Sequence, residues 1–452
     1  MLSRPVYGAQ VCYAPQRTLP AALAFRTQMP DAATYDPPAP EATTRECPEC
    51  GLFQAVPLLR HGQIALCTRC GALLRRRRRN SLTTTLALSV TGLVLFAVVL
   101  AYPFMGFRVL GQQREATLQA LPAAFEAQGM WQLALVVLAF TVVAPMLKLG
   151  LTVAVIVGLR QGVAASTLAA MARLRHALTP WAMIEVFLIG SLVAYTRLAA
   201  TATVLVGPGL WALGGMMLAM VAADAWLDEH ALWEAIGKAR RTPAPMGTGP
   251  LIGCDTCGRV SRAAPGQRCP RCHATLKLRK PNSIARSWAL LAAAAALYIP
   301  ANLYPILTLI RFGSGHPNTI LGGVQELIEY RMWPLALLVF TASIMVPVLK
   351  LLGIALLLTM TQRRSGVRLR DRTRLFRIVD AVGRWSMIDI FMLSVLVALV
   401  RMQLLASVTP GSGAVCFAAV VILTMLSAFS YDPRLMWDAA GQTACAEAEA
   451  EA

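Results

Sequence analysis

The stretch Ser343-Ile-Met-Val-Pro-Val-Leu-Lys350 lies inside a hydrophobic run from about Met332 to Met360, which is long enough to cross a bilayer as a helix. Two of its residues are unfavourable there. Pro347 removes a helix hydrogen bond, and a charged lysine in hydrocarbon costs roughly 2.5–3.5 kcal/mol on insertion scales. The pattern occurs a second time, as Thr141-Val-Val-Ala-Pro-Met-Leu-Lys148. Two copies of so costly a pattern predict an internally duplicated membrane protein with ionisable groups inside it.

The composition is typical of a membrane protein with several helical spans. Of the 452 residues, 56% are hydrophobic and 14% are charged, whereas soluble domains are about half apolar and a quarter charged. The net charge of +19 could suggest a nucleic-acid partner. The basic residues, however, gather at the ends of the hydrophobic runs and in three loops, as they do on the cytoplasmic side of membrane helices. We therefore expect no nucleic-acid binding.

The chain consists of two copies of one unit. Lys148 recurs as Lys350 at an offset of 202 residues. Further along, Trp181-Ala-Met-Ile-Glu185 recurs as Trp385-Ser-Met-Ile-Asp389 at an offset of 204 residues. Each unit contains four hydrophobic runs, which is an even number, so both copies should cross the membrane in the same direction. Parallel repeats of this kind are related by an axis along the membrane normal.

We predict an all-α polytopic membrane protein of two tandem repeats, each a cytoplasmic zinc ribbon followed by four transmembrane helices. Residues 75–79 are five arginines before the first span, and the predicted loop 362–384 contains eight more. By the positive-inside rule they place both termini and both ribbons in the cytoplasm. The predicted spans are residues 82–102, 131–159, 181–205, 208–226, 284–307, 332–360, 385–405 and 413–431. The predicted domains are a disordered tail (1–45), zinc ribbon 1 (46–79), transmembrane unit 1 (80–227), a linker with zinc ribbon 2 (228–281), transmembrane unit 2 (282–438) and an acidic tail (439–452).

Two sets of four cysteines predict the metal-binding ribbons. Each set contains two Cys-x-x-Cys knuckles, and this spacing lets two sulfurs converge on one ion that four thiolates bind tetrahedrally. The predicted metal ligands are Cys47, Cys50, Cys67, Cys70, Cys254, Cys257, Cys269 and Cys272. We expect two structural zinc ions. Disulfides and rubredoxin-type iron are the alternatives, and a cytoplasmic location disfavours the disulfides.

Charged and hydroxyl side chains at membrane depth form a second candidate site. Lys350 and Asp389 carry opposite charges on adjacent predicted helices of the second unit. Because a lysine stem can extend toward the interface, the two groups could meet in the inner half of the bilayer. Ser343, Ser386 and Thr424 add hydroxyl groups to the same network.

The first unit keeps the charges but has fewer hydroxyl groups. Lys148 and Glu185 stand at the equivalent positions, while Met220 replaces the threonine of the last helix. One hypothesis is a structural salt bridge that holds the helices together. The other is a proton-coupled or substrate-coupled switch, because ionisable residues inside a membrane commonly mark transport pathways.

Several motifs together resemble the paraquat-inducible protein A family, including its lipid-transport members. They are the two four-cysteine ribbons, each before four helices, and the motifs Pro347-Val-Leu-Lys350, Arg384-Trp-Ser-Met-Ile-Asp389 and Tyr431-Asp-Pro-Arg-Leu-Met-Trp437. The resemblance covers about Glu46 to Asp438 and is more specific in the second half. It implies an inner-membrane subunit of a Gram-negative envelope. Such a subunit works with a partner built of MCE domains, which forms a periplasmic tunnel for lipid between the two membranes.

Four functions from different classes are compatible with these residues. A lipid transporter would load or unload the tunnel, with the buried Lys/Asp network as its coupling or gating element. A proton-coupled exporter of small hydrophobic molecules would use the same charges in a narrower cavity, and a membrane scaffold would need them only for packing. A redox enzyme would need unmetallated thiols. The absence of Walker, haem-attachment and Rossmann motifs gives an enzyme no support. Lipid transport is what the family resemblance implies, and we predict that function rather than an enzyme.

Overall fold

The computed structural model describes residues 43–441, except for residues 58, 110–111, 200–202, 239–248, 312–313, 330 and 403–405. The two predicted tails, 1–45 and 439–452, lie outside the described residues apart from 43–45 and 439–441.

The first half begins with a ribbon of two antiparallel hairpins and continues into helices and a small sheet. The ribbon contains β1 (Thr43–Glu46), β2 (Phe53–Val56), β3 (Ile64–Leu66) and β4 (Leu73–Arg76). Unit 1 contains α1 (Ser81–Ala101), β5 (Met105–Val109), β6 (Gln112–Ala116), α2 (Ala120–Glu126), α3 (Trp131–Leu138), α4 (Ala144–Gln161), α5 (Ala165–Leu178), α6 (Ile184–Ala199), β7 (Thr203–Val206), α7 (Pro208–Trp226) and α8 (Glu229–Lys238).

The second half repeats this order. Its ribbon contains β8 (Leu251–Gly253) and β9 (Val260–Arg262). Unit 2 contains α9 (Ser283–Leu303), β10 (Leu307–Arg311), β11 (Ser314–Asn318), α10 (Ile320–Glu329), α11 (Trp333–Phe340), α12 (Val346–Gln362), α13 (Leu369–Trp385), α14 (Ile388–Leu399), β12 (Arg401–Met402), β13 (Ala406–Pro410), α15 (Ser412–Ser430) and α16 (Arg434–Ala439).

The predicted duplicated, eight-span helical membrane fold is confirmed. In the part of the chain that the structure describes, eight helical stretches are long and apolar enough to cross a membrane. They are Ser81–Ala101, Trp131–Gln161, Ala165–Thr196, Pro208–Trp226, Ser283–Leu303, Ala336–Gln362, Leu369–Leu399 and Ser412–Ser430.

Two kinds of element are missing from the sequence-based description. The arginine-rich segment 362–384, predicted as a loop, contains the helix α13, whose Leu369 and Val379 are buried. A search for apolar runs overlooks such a helix because its apolar residues recur only once per turn. The chain between spans also forms two antiparallel sheets, with strand orders β6-β5-β7 and β11-β10-β13-β12. They lie at the opposite end of the bundle from the ribbons.

A π-helical turn precedes the proline of each costly motif. Residues Ala139–Val143 and Thr341–Met345 form these turns, immediately before the helices that contain Pro145 and Pro347. A proline has no N–H to donate and its ring crowds the preceding turn, and a π-bulge accommodates one extra residue there. α3 and α4, like α11 and α12, therefore form one continuous span.

The two units meet at α6 and α14. Phe187 and Phe391, which are equivalent at the offset of 204 residues, contact each other edge to face with ring centroids 5.6 Å apart. A contact between equivalent residues places the pseudo-twofold axis of the repeat at this pair. Gly190 lets the two helices approach closely, because a Cβ there would lie only 3.0 Å from the Phe391 Cβ and 3.1 Å from the Ile388 carbonyl oxygen.

The packing around this axis is not symmetric. α2 buries Leu121 and Phe125 completely and packs against α14. Its counterpart α10 instead forms a separate small core with α11. As a result Leu192 of α6 is 59% exposed, whereas the equivalent Leu396 of α14 is 7% exposed.

We expect Gly190→Ala to lower the stability of the protein, because the added methyl group would press on the backbone of α14. Overpacking of this kind costs about 1–3 kcal/mol. Gly150→Ala is the matched control, because nothing lies within 4 Å of a Cβ at that position of α4; it should be neutral or stabilising by up to about 1 kcal/mol. Thermal unfolding in detergent measures both. Equal midpoints for the Gly190→Ala variant and the wild type would contradict the close contact.

Candidate functional site

The eight predicted cysteine ligands form two compact clusters. In each cluster the four sulfur atoms lie within 4.8 Å of one another. Two Sγ pairs of the first cluster are 3.5 Å apart, and two pairs of the second are 3.4 and 3.6 Å apart. Four sulfurs at a Zn–S distance of about 2.3 Å would be about 3.8 Å apart, whereas a disulfide bond is about 2.05 Å long. The clusters therefore fit a tetrahedral metal ion and are not disulfides.

The knuckle backbone explains why the sulfurs converge. After each Cys-x-x-Cys the next residue adopts a left-handed conformation, with φ of 73° at Gly51 and 60° at His273. Its N–H then donates back to the carbonyl of the first cysteine of the knuckle, at 2.9 Å for both residues. Glycine adopts this conformation without strain, and His273 shows that the fourth knuckle forms it with a side chain present.

Each ribbon packs on the transmembrane unit of the other repeat. The first ribbon, through Leu52, shares a core with Tyr431 and Trp437 of the second unit. The second ribbon, through Leu276, shares a core with Trp233 and the surrounding helices of the first unit. Each ribbon therefore packs on the helices of the opposite repeat and not on the helices that follow it in the chain.

An equivalent arginine holds each ribbon in this exchanged position. Arg377 of α13 donates to the carbonyl of Cys70 at 3.0 Å and pairs with Glu49 at 2.5 Å. Arg173 of α5, at the offset of 204 residues, donates to the carbonyl of Cys272. The last cysteine of each ribbon is thus bonded to the basic helix of the opposite repeat.

A buried arginine joins both ribbons to the C-terminal helix. Arg434 of α16 pairs with Asp432 at 3.0 Å, with Glu46 of the first ribbon at 3.1 Å and with Asp255 of the second at 3.0 Å. Burial alone would raise the pKa of Asp432, but the hydrogen bonds and charge of Arg434 lower it overall. Asp432 is therefore ionised at neutral pH and holds the guanidinium that connects the two ribbons.

The lysine of the first unit is paired, but not with the acid that we expected. Lys148 is 3% exposed, and its Nζ donates to Asp224 of α7 at 2.5 Å. Glu185 lies in the first turn of α6, and no ion pair joins it to Lys148 in the described part of the chain. Asp224, near the end of its span, supplies the countercharge instead.

The lysine of the second unit is equally buried, but its surroundings differ. Lys350 is 3% exposed, and its Nζ has no hydrogen-bond partner among the residues described. Its head lies against Gly383 of α13, where a Cβ would be 2.8 Å from the Nζ. Asp380, three residues earlier, acts on the ammonium electrostatically. In the described part of the chain, no hydrogen bond or ion pair joins Lys350 to Asp389. Their shared role stays a prediction.

The hydroxyl groups of the predicted network lie on three different elements of unit 2: the π-helical turn, the link between α13 and α14, and α15. Ser343 is buried in the π-helical turn, which packs against α14. Thr424 is buried in α15 and donates to the carbonyl of Val421 at 2.9 Å. Ser386 is 2% exposed, and its Oγ has no hydrogen-bond partner within the described ranges. Asp389 lies half-buried in the first turn of α14.

Two substitutions between the repeats explain why the lysines differ. Position 224 is aspartate in the first unit, while the equivalent position 428 is a buried alanine. Position 383 is glycine in the second unit, while the equivalent position 179 is a threonine whose side chain bonds to its own helix. Lys350 therefore has space beside α13, and the position on α15 that corresponds to Asp224 provides no acid. A position-by-position comparison of the halves would have revealed Asp224 and Gly383 as site residues.

Comparisons with known proteins agree with this architecture. The family model for Paraquat-inducible protein A matches residues 82–237 and 284–441, one match for each repeat. The chain is 36% identical over 400 residues to Intermembrane transport protein PqiA of Escherichia coli K12, covering 87% of this chain and 95% of that protein. It is 31% identical over 408 residues to Lipophilic envelope-spanning tunnel protein A of the same organism, covering 88% and 92%. A Probable intermembrane transport protein of Haemophilus influenzae is 27% identical over 409 residues, covering 87% and 95%. No solved structure matches the chain.

We expect Arg377→Ala to speed the release of one of two metal ions to a chelator. Among the described residues, the charge-assisted hydrogen bonds of Arg377 all go to ribbon 1. Losing about 1–1.5 kcal/mol at this partly exposed site corresponds to about five- to tenfold faster release. Arg374→Ala is the matched control on the same helix, since Arg374 is 72% exposed and pairs with Asp371 of that helix. Metal release followed with a chromogenic chelator should total two ions per chain in every variant. Unchanged kinetics in Arg377→Ala would contradict the exchanged docking.

Proposed function

This chain belongs to the paraquat-inducible protein A family, and from that premise we propose that it is the inner-membrane subunit of an intermembrane lipid-transport system. It would move lipid between the inner membrane and a periplasmic tunnel formed by an MCE-domain partner. The family model matches both transmembrane units, and the relatives named as intermembrane transport and envelope-spanning tunnel proteins align with 87% and 88% of the chain. That extent supports assigning the transport role to the whole chain.

The proposal rests mainly on the different surroundings of the two buried lysines, Lys148 and Lys350. Lys350 lies 12 residues before the end of α12, which is about 18 Å at helical rise. A charged group there without a paired acid carries an effective desolvation penalty of several kcal/mol, which Lys148 avoids through Asp224. The first unit shows that this fold can pair the lysine with an acid. The second unit nevertheless has the less stable arrangement, and a functional role for Lys350 would explain it.

We assign the gating or coupling role to Lys350 with Asp389, Ser343, Ser386 and Thr424. The ammonium lies beside α13, which provides Asp380 and Gly383. A change of partner by Lys350, driven by protonation or by lipid, would shift α12 against α13. Lys148 and Glu185 would have a supporting role, because the first lysine is held by Asp224.

We expect Lys350→Ala to abolish transport while the protein still reaches the membrane. Ala428→Asp is the sharper variant, because it places beside Lys350 the carboxylate that Asp224 provides to Lys148. If the uncompensated ammonium is functional, Ala428→Asp should also abolish transport and should leave membrane abundance equal or higher. Complementation of a deletion strain, with immunoblotting of membranes and co-purification of the partner, measures all three quantities.

Lys148→Ala is the matched control in the first unit. It leaves Asp224, which is 40% exposed, in contact with water, so its effect on transport should be smaller than that of Lys350→Ala. Loss of activity in step with loss of abundance in the Lys350→Ala strain would favour a scaffold held by packing. Full activity of the Ala428→Asp strain would remove Lys350 from the mechanism.

We propose that both termini and both ribbons face the cytoplasm, and that the two sheets face the periplasm. Single cysteines at two exposed positions test this orientation: Arg370→Cys on α13 and Glu115→Cys on β6. After replacement of Cys12, Cys416 and Cys445, a membrane-impermeant thiol reagent should label Glu115→Cys in intact cells and Arg370→Cys only after lysis. The reverse pattern would overturn the orientation.

A further inference from the structure

The first ribbon carries three large apolar side chains on its surface. Ile64 and Leu66 of β3 are 53% and 51% exposed, and Leu73 of β4 is 47% exposed. Leu66 and Leu73 are directly opposite each other in the hairpin, and Ile64 lies two residues before Leu66, so the three side chains share one face. The described part of the chain leaves about half of each side chain accessible. We call this surface the apolar face of ribbon 1.

The second ribbon has polar residues at the equivalent place. At the offset of 202 residues, Leu66 and Leu73 correspond to Arg268 and Thr275. These two residues are also opposite each other and are also exposed. A polar pair is what an exposed hairpin ordinarily carries, so the apolar pair of ribbon 1 is not a requirement of the ribbon fold.

The apolar face lies on the side of ribbon 1 that reaches the membrane spans. Ile64 is paired with Arg76, and side chains of directly opposite residues lie on the same face. The Nη1 of Arg76 donates to the carbonyl of Ala225 at 3.5 Å, and Ala225 is the last residue but one of α7. Four residues separate β4 from α1. The apolar face is therefore close to the ends of two spans, where the headgroup region of a bilayer begins.

Basic residues lie between this face and the spans. Residues 75–79, which are all arginines, connect β4 to the start of α1. The guanidinium of Arg78 lies over the ring of Trp226, 5.1 Å from its centroid, and a tryptophan at the end of a span is typical of the membrane–water interface. Arginines at this depth attract anionic lipid headgroups, while apolar side chains beside them enter the boundary between headgroups and acyl chains.

We propose that the apolar face of ribbon 1 docks on the leaflet beside α1, with Ile64, Leu66 and Leu73 among the lipid headgroups and the arginine run on anionic lipid. Ribbon 1 is thereby held from two sides, by the bilayer and by Arg377 of the opposite repeat. Ribbon 2 lacks the apolar pair and makes no such contact. This attachment is independent of lipid transport and of the Lys350 network.

The test uses the full-length, metal-loaded protein in nanodiscs of phosphatidylcholine and phosphatidylglycerol. Leu73→Cys places a label on the apolar face, and Thr275→Cys is the matched control. Each position lies three residues after the last cysteine of its ribbon and is exposed. Both variants are labelled with an environment-sensitive fluorophore after replacement of Cys12, Cys416 and Cys445. Their metal content should equal that of the unlabelled protein.

A lipid with a nitroxide near its headgroup should quench the label at position 73 at least about threefold more strongly than the label at position 275, because only the former is inserted. Acrylamide in the aqueous phase should give the opposite order. Quenching at position 73 by the lipid nitroxide should weaken without phosphatidylglycerol. It should also weaken when salt is raised from about 0.1 M to about 1 M, since the screening length falls from about 10 Å to about 3 Å. Ile64→Cys is the second labelling position if Leu73→Cys loses metal.

The proposal fails if acrylamide quenches the labels at positions 73 and 275 equally, because the apolar face is then in water. It also fails if the label at position 73 is protected from both quenchers, because a protein surface, such as a second copy of the chain, then covers the face. Quenching by the lipid nitroxide that does not respond to phosphatidylglycerol or salt would overturn the role of the arginine run.

Discussion

The arrangement of the helices follows from the need to accommodate two ammonium groups inside an apolar bundle. Each lysine follows a proline and a π-helical turn on a continuous span, so both arrive at the same depth and on the same face. In the first unit, Asp224 pairs with Lys148 and compensates its charge. The second unit makes room for Lys350 beside Gly383 and leaves its Nζ without a hydrogen-bond partner among the described residues. The same constraint therefore has two outcomes: Lys148 has a carboxylate within hydrogen-bonding distance, and Lys350 has none in the described part of the chain.

The exchange of ribbons connects the halves more firmly than the helix contact alone. A ribbon of this size has almost no core of its own, so its stability depends on the metal and on the surface that covers it. Here that surface belongs to the opposite repeat, through Arg377 for the first ribbon and Arg173 for the second. α13 contacts the first ribbon through Arg377 and lies beside Lys350 six residues later at Gly383. The metal site of one repeat thus supports the helix that borders the polar network of the other.

The repeats also differ at the end of the bundle opposite the ribbons. α2 covers α14 and buries it, whereas α10 packs on α11 and leaves part of α6 exposed. The helix that bears Asp389 is therefore surrounded by protein along its length. Asp389, in the first turn of this helix, is itself only half-buried.

From the sequence alone, the eight spans, the duplication and the two cysteine quartets could be predicted, because residue type and spacing along the chain determine them. The partners of the lysines could not, since Asp224, Asp380 and Gly383 reach them only when helices distant in sequence pack together. α13 was predicted as a loop because its apolar residues are separated by charged ones in the sequence and come together on one face only in the folded helix. The exchange of ribbons was likewise decided by tertiary structure: chain order places each ribbon before its own helices, while the arginines and apolar surface that hold it belong to the other repeat.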